Sequence, residues 1–294
     1  MVDQAQALRN LVRNYKQVQT PVDHSTRILT VTSGKGGVGK SNFTLNFALA
    51  LQSLGKKVLV FDADLGMANI DVLMGVNARV NLYHLLKREK NIHDIILTGP
   101  KDLHFIAGGS GFQELLTLSE EELIYFTEQV NMISEQYDFI IFDTGAGLSK
   151  ETLNFILSAE ETIVVTTPEP TSITDAYALI KIVHRMNAKV DFRLVVNRVS
   201  DEQEGNQTAK KINLVAEQFL DLSIPTLGYV MDDPSVSSAV KKQVPFSIAF
   251  PNCISTRNIE QLAKAYLNNS SQPPGLIAEG GVKGFLTRMM KFMK

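Results

Sequence analysis

Eight residues, Gly34-Lys35-Gly36-Gly37-Val38-Gly39-Lys40-Ser41, have the types and spacing of a loop that holds phosphate. In such a loop the glycines let successive backbone N–H groups turn toward the α- and β-phosphates. The last lysine reaches the β and γ oxygens, and the hydroxyl that follows ligates Mg²⁺. Lys40 and Ser41 hold those two positions and Asn42 comes next, so the expected ligands are ATP or ADP with Mg²⁺. Lys35 is not needed to form the loop; on its chemistry alone it is a solvated surface lysine. Two acid-ended apolar runs accompany the loop: Val58 to Asp62 continues into Ala63-Asp64, and Phe139 to Asp143 continues into Thr144-Gly145-Ala146-Gly147. Phosphoryl transfer to water needs Mg²⁺ to spread the charge on the β and γ oxygens, and a group that orients the attacking water. Aspartates at strand ends also serve as turn or helix caps, the reading that suits Asp71.

The elements that would position these groups alternate. Arg27 to Thr32 reads as a short β-branched strand, and Ser41 to Leu54 carries helical apolar spacing through Phe43, Phe47, Leu51 and Leu54. Further strand candidates are 58–62, 103–107, 139–143, 162–167, 192–197 and 226–230, most of them separated by helical stretches. Apolar strands alternating with helices predict an α/β fold of three layers: a doubly wound, mostly parallel sheet with helical appendages at both chain ends. Functional groups then belong just beyond the carboxyl ends of the strands. A chain of 294 residues that is 44% hydrophobic suits one large α/β domain. Lysine and arginine total 29 against 31 acids, and the net charge of -2 gives no general attraction to nucleic acid. The single cysteine, Cys253, excludes an internal disulfide and a one-chain cysteine metal site, and reads as a buried inert thiol. No apolar signal-peptide core opens the sequence and no stretch approaches the roughly 20 apolar residues of a membrane span. A cytoplasmic location is expected.

Four segments are expected: a helical appendage over 1–23, a core over 24–268, a linker over 269–281 and a final helix over 282–294. In the first, Leu8, Leu11, Val12, Tyr15 and Val18 recur at helical spacing. By composition that helix either packs on its own domain or binds a partner. In the last, Val282, Phe285, Leu286, Met289, Met290, Phe292 and Met293 fall on one side and Lys283, Thr287, Arg288, Lys291 and Lys294 on the other. A short basic helix with a bulky apolar side, set off by a flexible linker, suits the interface of an anionic membrane. The alternative is a docking helix that completes the core. The pattern also fits a calmodulin-target-like helix, which nothing else in the sequence supports.

The loop KGGVGKSN resembles the deviant P-loop of the MinD/ParA class of ATPases, to which the nitrogenase iron protein also belongs. That resemblance implies an ATP-dependent homodimer in which Lys35 reaches across the interface to the nucleotide of the facing subunit. It implies that Asp64 positions the attacking water, that Asp62 supports the Mg²⁺ shell and that Asp143 holds Mg²⁺ through water or through Ser41. Gly145 and Gly147 would let their loop move when the γ-phosphate leaves. The implied catalytic set is Asp64, Lys35 and Lys40, and the metal set is Ser41, Asp62 and Asp143. Nucleotide contacts fall to Gly34 through Asn42, to Asn197, whose amide offers adenine a donor and an acceptor, and to Arg198, Met231 and Asp232. Thr166-Thr167-Pro168-Glu169 matches a segment of the class near the dimer interface, though a plain loop reads Glu169 equally well. Asn42 departs from the second threonine common after the loop in MinD proteins, a change expected to alter the nucleotide rate without abolishing binding. The lone cysteine argues against the iron–sulfur members.

With Asp3-Gln4-Ala5-Gln6-Ala7-Leu8-Arg9 at one end and the amphipathic helix at the other, the chain resembles the FlhG family, also called YlxH or FleN. These are MinD-like ATPases that control the number and placement of bacterial flagella. The resemblance implies that Gln4 and Arg9 stimulate the GTPase FlhF. It also implies that Phe285, Leu286, Met289, Met290, Phe292 and Met293 enter an anionic membrane, making the protein reversibly peripheral to the inner face of the cell membrane. Flagellar switch-complex proteins are further expected partners, and no specific nucleic acid is. A MinD-type division-site regulator shares the core and tail without requiring the DQA segment. A ParA-type partition ATPase would bind DNA through basic patches with a steep salt dependence.

Overall fold

The computed structural model describes residues 26–64, 69–108, 120–269 and 281–293. Its first half runs β1 (Arg27–Ser33), α1 (Lys40–Ser53), β2 (Val58–Ala63), α2 (Ile70–Met74), α3 (Leu82–Leu86), α4 (Ile92–Ile95), β3 (Leu97–Thr98), β4 (His104–Ile106), α5 (Glu120–Ser134) and β5 (Phe139–Ala146). The second half runs α6 (Lys150–Ser158), β6 (Glu161–Thr166), α7 (Pro170–Met186), β7 (Asp191–Val199), α8 (Glu202–Leu220), β8 (Thr226–Met231), α9 (Pro234–Lys242), α10 (Phe246–Ala249), α11 (Ile254–Asn269) and α12 (Gly281–Met293). The strands form one sheet in the order β3-β4-β2-β5-β1-β6-β7-β8. All pairings are parallel except the short edge pair β3 and β4.

Strand periodicity sets the layers. Leu29, Val31, Val58, Val60, Phe139 and Ile141 enter the core on the face of α1 and α11. Their neighbours Ile28, Leu59, Phe61, Ile140 and Phe142 enter the core shared with α5, α6 and α12, and Val164, Leu194 and Val196 face α7 and α8. With both faces covered, the strands are nearly continuous apolar runs, as parallel sheets require. Helix α1 departs from the expected single stripe: Lys40 and every residue from Phe43 to Leu51 are buried. It is wedged between the sheet and α11, with Phe47 edge-on to Tyr266 at 5.6 Å between ring centroids. Asn46 satisfies its polarity there, accepting from Ser247 N at 2.9 Å and donating to the Asn42 carbonyl at 2.8 Å.

The order of strands places the site. β1 lies between β5 and β6, and the chain crosses from it to β2 on one side and later to β6 and β7 on the other. The carboxyl ends of β1, β2 and β5 therefore open into one crevice at the reversal of winding, where open α/β sheets bind ligands.

Of the two arrangements open to the last helix, the structure has the docked one: α12 packs on its own domain, with Val282, Phe285, Leu286 and Met289 buried. The Phe285 ring stacks on Phe142 with centroids 4.8 Å apart and on Phe155 at 6.4 Å. Gly281 N–H donates to Glu160 Oε1, and Arg288 Nε donates to the Ser158 carbonyl at 2.9 Å. The side chains of Met290, Phe292 and Met293 lie outside the described set, as do residues 1–25 and 270–280. None of the described helices is long and apolar enough to cross a membrane.

Truncating Phe285 tests the docking. Phe285→Ala forfeits about 3 to 5 kcal/mol of packing, and a helix of 13 residues is marginal on its own in water. Hydrogen exchange in 281–293 should accelerate by about a hundredfold or more while β1, β5 and β6 stay protected. Unchanged exchange in α12 would show that Phe285 does not hold it.

Candidate functional site

The loop from Gly34 to Ser41 leaves β1 and enters α1, whose first N–H groups have no partner within the helix and face an incoming anion. Two glycines are required by geometry. At Gly34 a β-carbon would stand 2.2 Å from the Asp175 backbone, and at Gly39, where φ is +89°, it would stand 2.4 Å from Asn197 Nδ2. Lys40 lies buried with Nζ 3.0 Å from Asp143 Oδ1, and Nζ also donates to Ser41 Oγ at 3.3 Å. Thr44, one turn along α1, donates to the same Asp143 oxygen at 2.7 Å. Sequence reading missed Thr44, although its i+4 spacing from Lys40 places both on one face of the helix.

Asp62 and Asp64 divide their labour. Asp62 is buried, and both of its oxygens accept backbone N–H groups: Oδ1 from Asp64 at 3.3 Å, Oδ2 from Asn69 at 2.8 Å and Ile70 at 3.0 Å. It ties the end of β2 to the start of α2. Burial, followed by the charge of Asp143, pushes its pKa up to about 7, against the lowering effect of those three N–H groups. Asp64 faces the β5 loop, with Oδ1 3.5 Å from the point where a β-carbon on Gly145 would stand. Thr152 Oγ1 lies 3.6 Å from that point on α6.

Two cavities flank the P-loop. One, about 720 Å³, is lined by Gly37, Lys40, Ser41, Asp64, Gly145 and Thr152. The other, about 660 Å³, is lined by Asn197, Arg198, Met231, Asp232 and Pro234 among others. Gly39, Asn42 and Val240 line both, so Asn42 stands at the seam between a phosphate lobe and a lobe able to take a base. Asn197 Nδ2 donates to the Val38 carbonyl at 2.8 Å and thereby braces the P-loop. Arg198, at φ +58°, pairs with Asp232 at 3.4 Å across an exposed rim. Asp233 accepts from Ser235 N and Ile254 N, tying the starts of α9 and α11 together behind that lobe.

Lys35 is not solvated alone. Its Nζ sits 3.0 Å from Glu169 Oε2 and donates to Thr171 Oγ1 at 2.8 Å, in an exposed cluster. Gln4 and Arg9 lie outside the described residues. Sequence reading also missed Ser149, Glu151 and Thr152, which enter the phosphate lobe from the start of α6; no motif spacing marks them.

The donor set fits Mg²⁺. Asp143 Oδ2 is buried and has no hydrogen-bond partner among the described residues; Lys40 Nζ, which holds the other oxygen, also reaches the Ser41 hydroxyl, and Asp62 feels the charge of Asp143. Lone oxygen acceptors in a site with more acids than bases suit a hard divalent cation.

The raised pKa of Asp62 has a stability consequence. The folded chain holds this proton more tightly than the unfolded chain, so stability falls as pH rises from the unfolded value toward about 7. Between pH 5 and pH 8 the nucleotide-free protein should lose roughly 2 to 3 kcal/mol relative to Asp62→Asn. Chemical denaturation of both proteins at the two pH values reads this difference, and a gap independent of pH would refute it.

The chain is similar to known proteins in sequence and fold. Residues 26–196 match the family described as AAA domain. The antiactivator FleN of Pseudomonas aeruginosa is 38% identical over 228 residues, covering 78% of this chain and 81% of FleN. The flagellum site-determining protein YlxH of Helicobacter pylori is 35% identical over 297 residues and the whole of both chains. Among solved structures, the cell-division ATPase MinD of Pyrococcus furiosus superposes with a TM-score of 0.68 at 26% identity, covering 83% of this chain and 99% of that one. MinD of Pyrococcus horikoshii, solved with Mg-ADP, gives 0.67 at 26% identity over 82% and 96%. Full-length likeness to YlxH, joined to a P-loop, a buried Lys40 and Asp143 and an Asp64 over Gly145, makes this chain an ATPase of the MinD/ParA class and a member of the FleN/YlxH (FlhG) family.

Proposed function

We propose that this ATPase is a nucleotide-controlled switch that regulates the number and placement of bacterial flagella. What carries the reading is that Lys40, paired with the buried Asp143, and Asp64 line one phosphate lobe, with the docked α12 reached from that lobe along the single helix α6. Backbone N–H groups of the P-loop and the Lys40 ammonium hold the β- and γ-phosphates, which frees Asp143 from its ion pair. Ser41 and Asp143 would hold Mg²⁺ and Asp62 would support its shell by charge; when bound, the ion neutralises negative charge on the phosphate oxygens. Asp64 accepts a hydrogen bond from a water and aims its lone pair at the γ-phosphorus. The water oxygen bonds to phosphorus as the bond to the ADP oxygen breaks, leaving ADP and phosphate. The base rests in the lobe of Asn197, Arg198, Met231 and Asp232.

Two copies face each other in this reading, and Lys35 leaves Glu169 for the nucleotide of the partner copy. An exposed pair is worth about 1 kcal/mol or less, so the exchange is easy. With ATP bound, α12 undocks and its apolar face enters an anionic bilayer, two helices per dimer giving avidity of roughly 10² to 10⁴. The segment around Gln4 and Arg9 then engages an FlhF-like GTPase, and other surfaces meet flagellar switch-complex proteins.

Asp64→Ala should trap the ATP-bound dimer on vesicles containing anionic lipid, measured by light scattering and sedimentation. A variant that stays monomeric with ATP counts against the switch. Deleting 282–294 should abolish sedimentation with vesicles and leave ATP-dependent dimerisation intact. Replacing Gln4 and Arg9 with alanine should remove stimulation of the FlhF-like GTPase. Binding to duplex DNA instead of vesicles would favour a partition ATPase, and a full cycle with no effect on the GTPase would favour a division-site regulator.

A further inference from the structure

We propose that Thr152 is a positioning residue for hydrolysis: its buried hydroxyl sets the Gly145 peptide against Asp64 and links that peptide, through α6, to the docked α12. The proposal rests on the reading of Asp64 as the group that orients water.

The geometry begins at Gly145. Thr152 Oγ1 donates to the Gly145 carbonyl at 3.3 Å and accepts from Ser149 Oγ at 3.2 Å. Ser149 is the N-cap of α6, its Oγ accepting the Thr152 N–H at 3.2 Å. Thr152 is only 2% exposed, at the wall of the phosphate lobe. The rest of the loop is tied to the end of β1: Thr144 Oγ1 donates to the Val31 carbonyl at 3.1 Å and Gly147 N to the Ser33 carbonyl at 2.8 Å. The Gly145 peptide is thus stretched between the P-loop strand and α6: its carbonyl accepts from Thr144 Oγ1 at 3.2 Å on the strand side, and Thr152 supplies the side-chain bond that ties it to α6. Asp64 and Thr152 both approach the point where a β-carbon on Gly145 would stand, so a shift of this peptide alters the space that a γ-phosphate and its attacking water would occupy.

The opposite end of α6 touches the tail. Phe155, three residues after Thr152, tilts against Phe142 at 5.1 Å and stacks on Phe285 at 6.4 Å. The Phe155 carbonyl accepts from Thr30 Oγ1 at 3.3 Å, and the Ser158 carbonyl accepts from Arg288 Nε at 2.9 Å. Nine residues of helix span about 14 Å and move as one body. A displacement of Gly145 by phosphate therefore reaches α12 through one hydrogen bond and one rigid helix.

Thr152→Val keeps the branched shape and removes the hydroxyl; Thr152→Ser restores it. The valine variant should bind a fluorescent ADP within about threefold of the parent and keep its KM, while kcat falls by roughly ten- to a hundredfold, the effect of misplacing a reacting group. Serine should recover kcat to within about threefold. Hydrogen exchange supplies a readout independent of turnover: a non-hydrolysable ATP analogue should change α12 exchange in the parent and the serine variant, and leave it unchanged in the valine variant. Parental kcat in Thr152→Val, or a serine variant as slow as the valine one, overturns the positioning role; an α12 response in the valine variant overturns the link. If far-UV circular dichroism shows Thr152→Val to be misfolded, Thr152→Ala replaces it under the same criteria. Normal hydrolysis by Asp64→Ala would remove the reading of Asp64 alone, and the exchange of α12 would still decide the link through Thr152.

Discussion

A buried ammonium facing a buried carboxylate is the constraint on which this molecule is arranged. Removing Lys40 and Asp143 from water costs several kcal/mol per ion after relaxation, and their attraction returns little more than that. Such a pair adds little to stability; its use is chemical. Holding it requires a helix start placed against two strand ends, and the structure meets that demand by burying α1 all round and anchoring its middle through Asn46 to Ser247. Thr44 belongs to the same requirement, because a carboxylate with one oxygen held by both Lys40 and Thr44 keeps its other oxygen aimed in a fixed direction.

From that pair outward, polar order passes in two directions along the sheet ends. Toward β2, Asp62 commits both oxygens to the backbone of the following loop, so the position of Asp64 is set by a residue that is itself spent on structure. Toward β5, the Gly145 and Gly147 backbone hangs between β1 and α6. Lys40 opens α1, Asp143 lies within β5 and Asp64 directly follows β2, so the reacting groups stand on or beside rigid elements, which keeps them precise.

How much of this was legible in the sequence follows from where the physics is local. A phosphate loop is a backbone device, so its glycines, lysine and hydroxyl must be consecutive, and the flanking strand and helix had to follow. Strands buried on both faces show as apolar runs, and acids at their ends stand out. Thr152 and Ser149 carry no such mark, because their importance comes from the turn after Gly145, a few residues earlier, whose shape is set only by folding. The edge strand β3 has two residues, too few for any periodicity. For α12 the limit is of another kind: an apolar stripe of Val282, Phe285, Leu286 and Met289 has one spacing whether a bilayer or Phe142 and Phe155 cover it.

That ambiguity has an energetic meaning on the proposed reading. Each of those four side chains gains about 1.5 to 3 kcal/mol on leaving water, but it gains a similar amount in either apolar host. The transfer term therefore largely cancels between groove and bilayer, and the remainder is decided by the contacts that only one host provides. In the groove these are the Gly281 N–H on Glu160 and the Arg288 guanidinium on the Ser158 carbonyl. Burial raises the pKa of Glu160, while the Gly281 N–H and the charges of Arg27 and Arg288 oppose that rise. At a membrane the competing terms are headgroup charge acting on Lys291 and Arg288 and the pairing of two tails in one dimer. A small bias applied at the Ser158 end of α6 is then enough to redistribute α12. The same helix ends at the other side in the phosphate lobe, which on the proposed reading lets a nucleotide decide the contest.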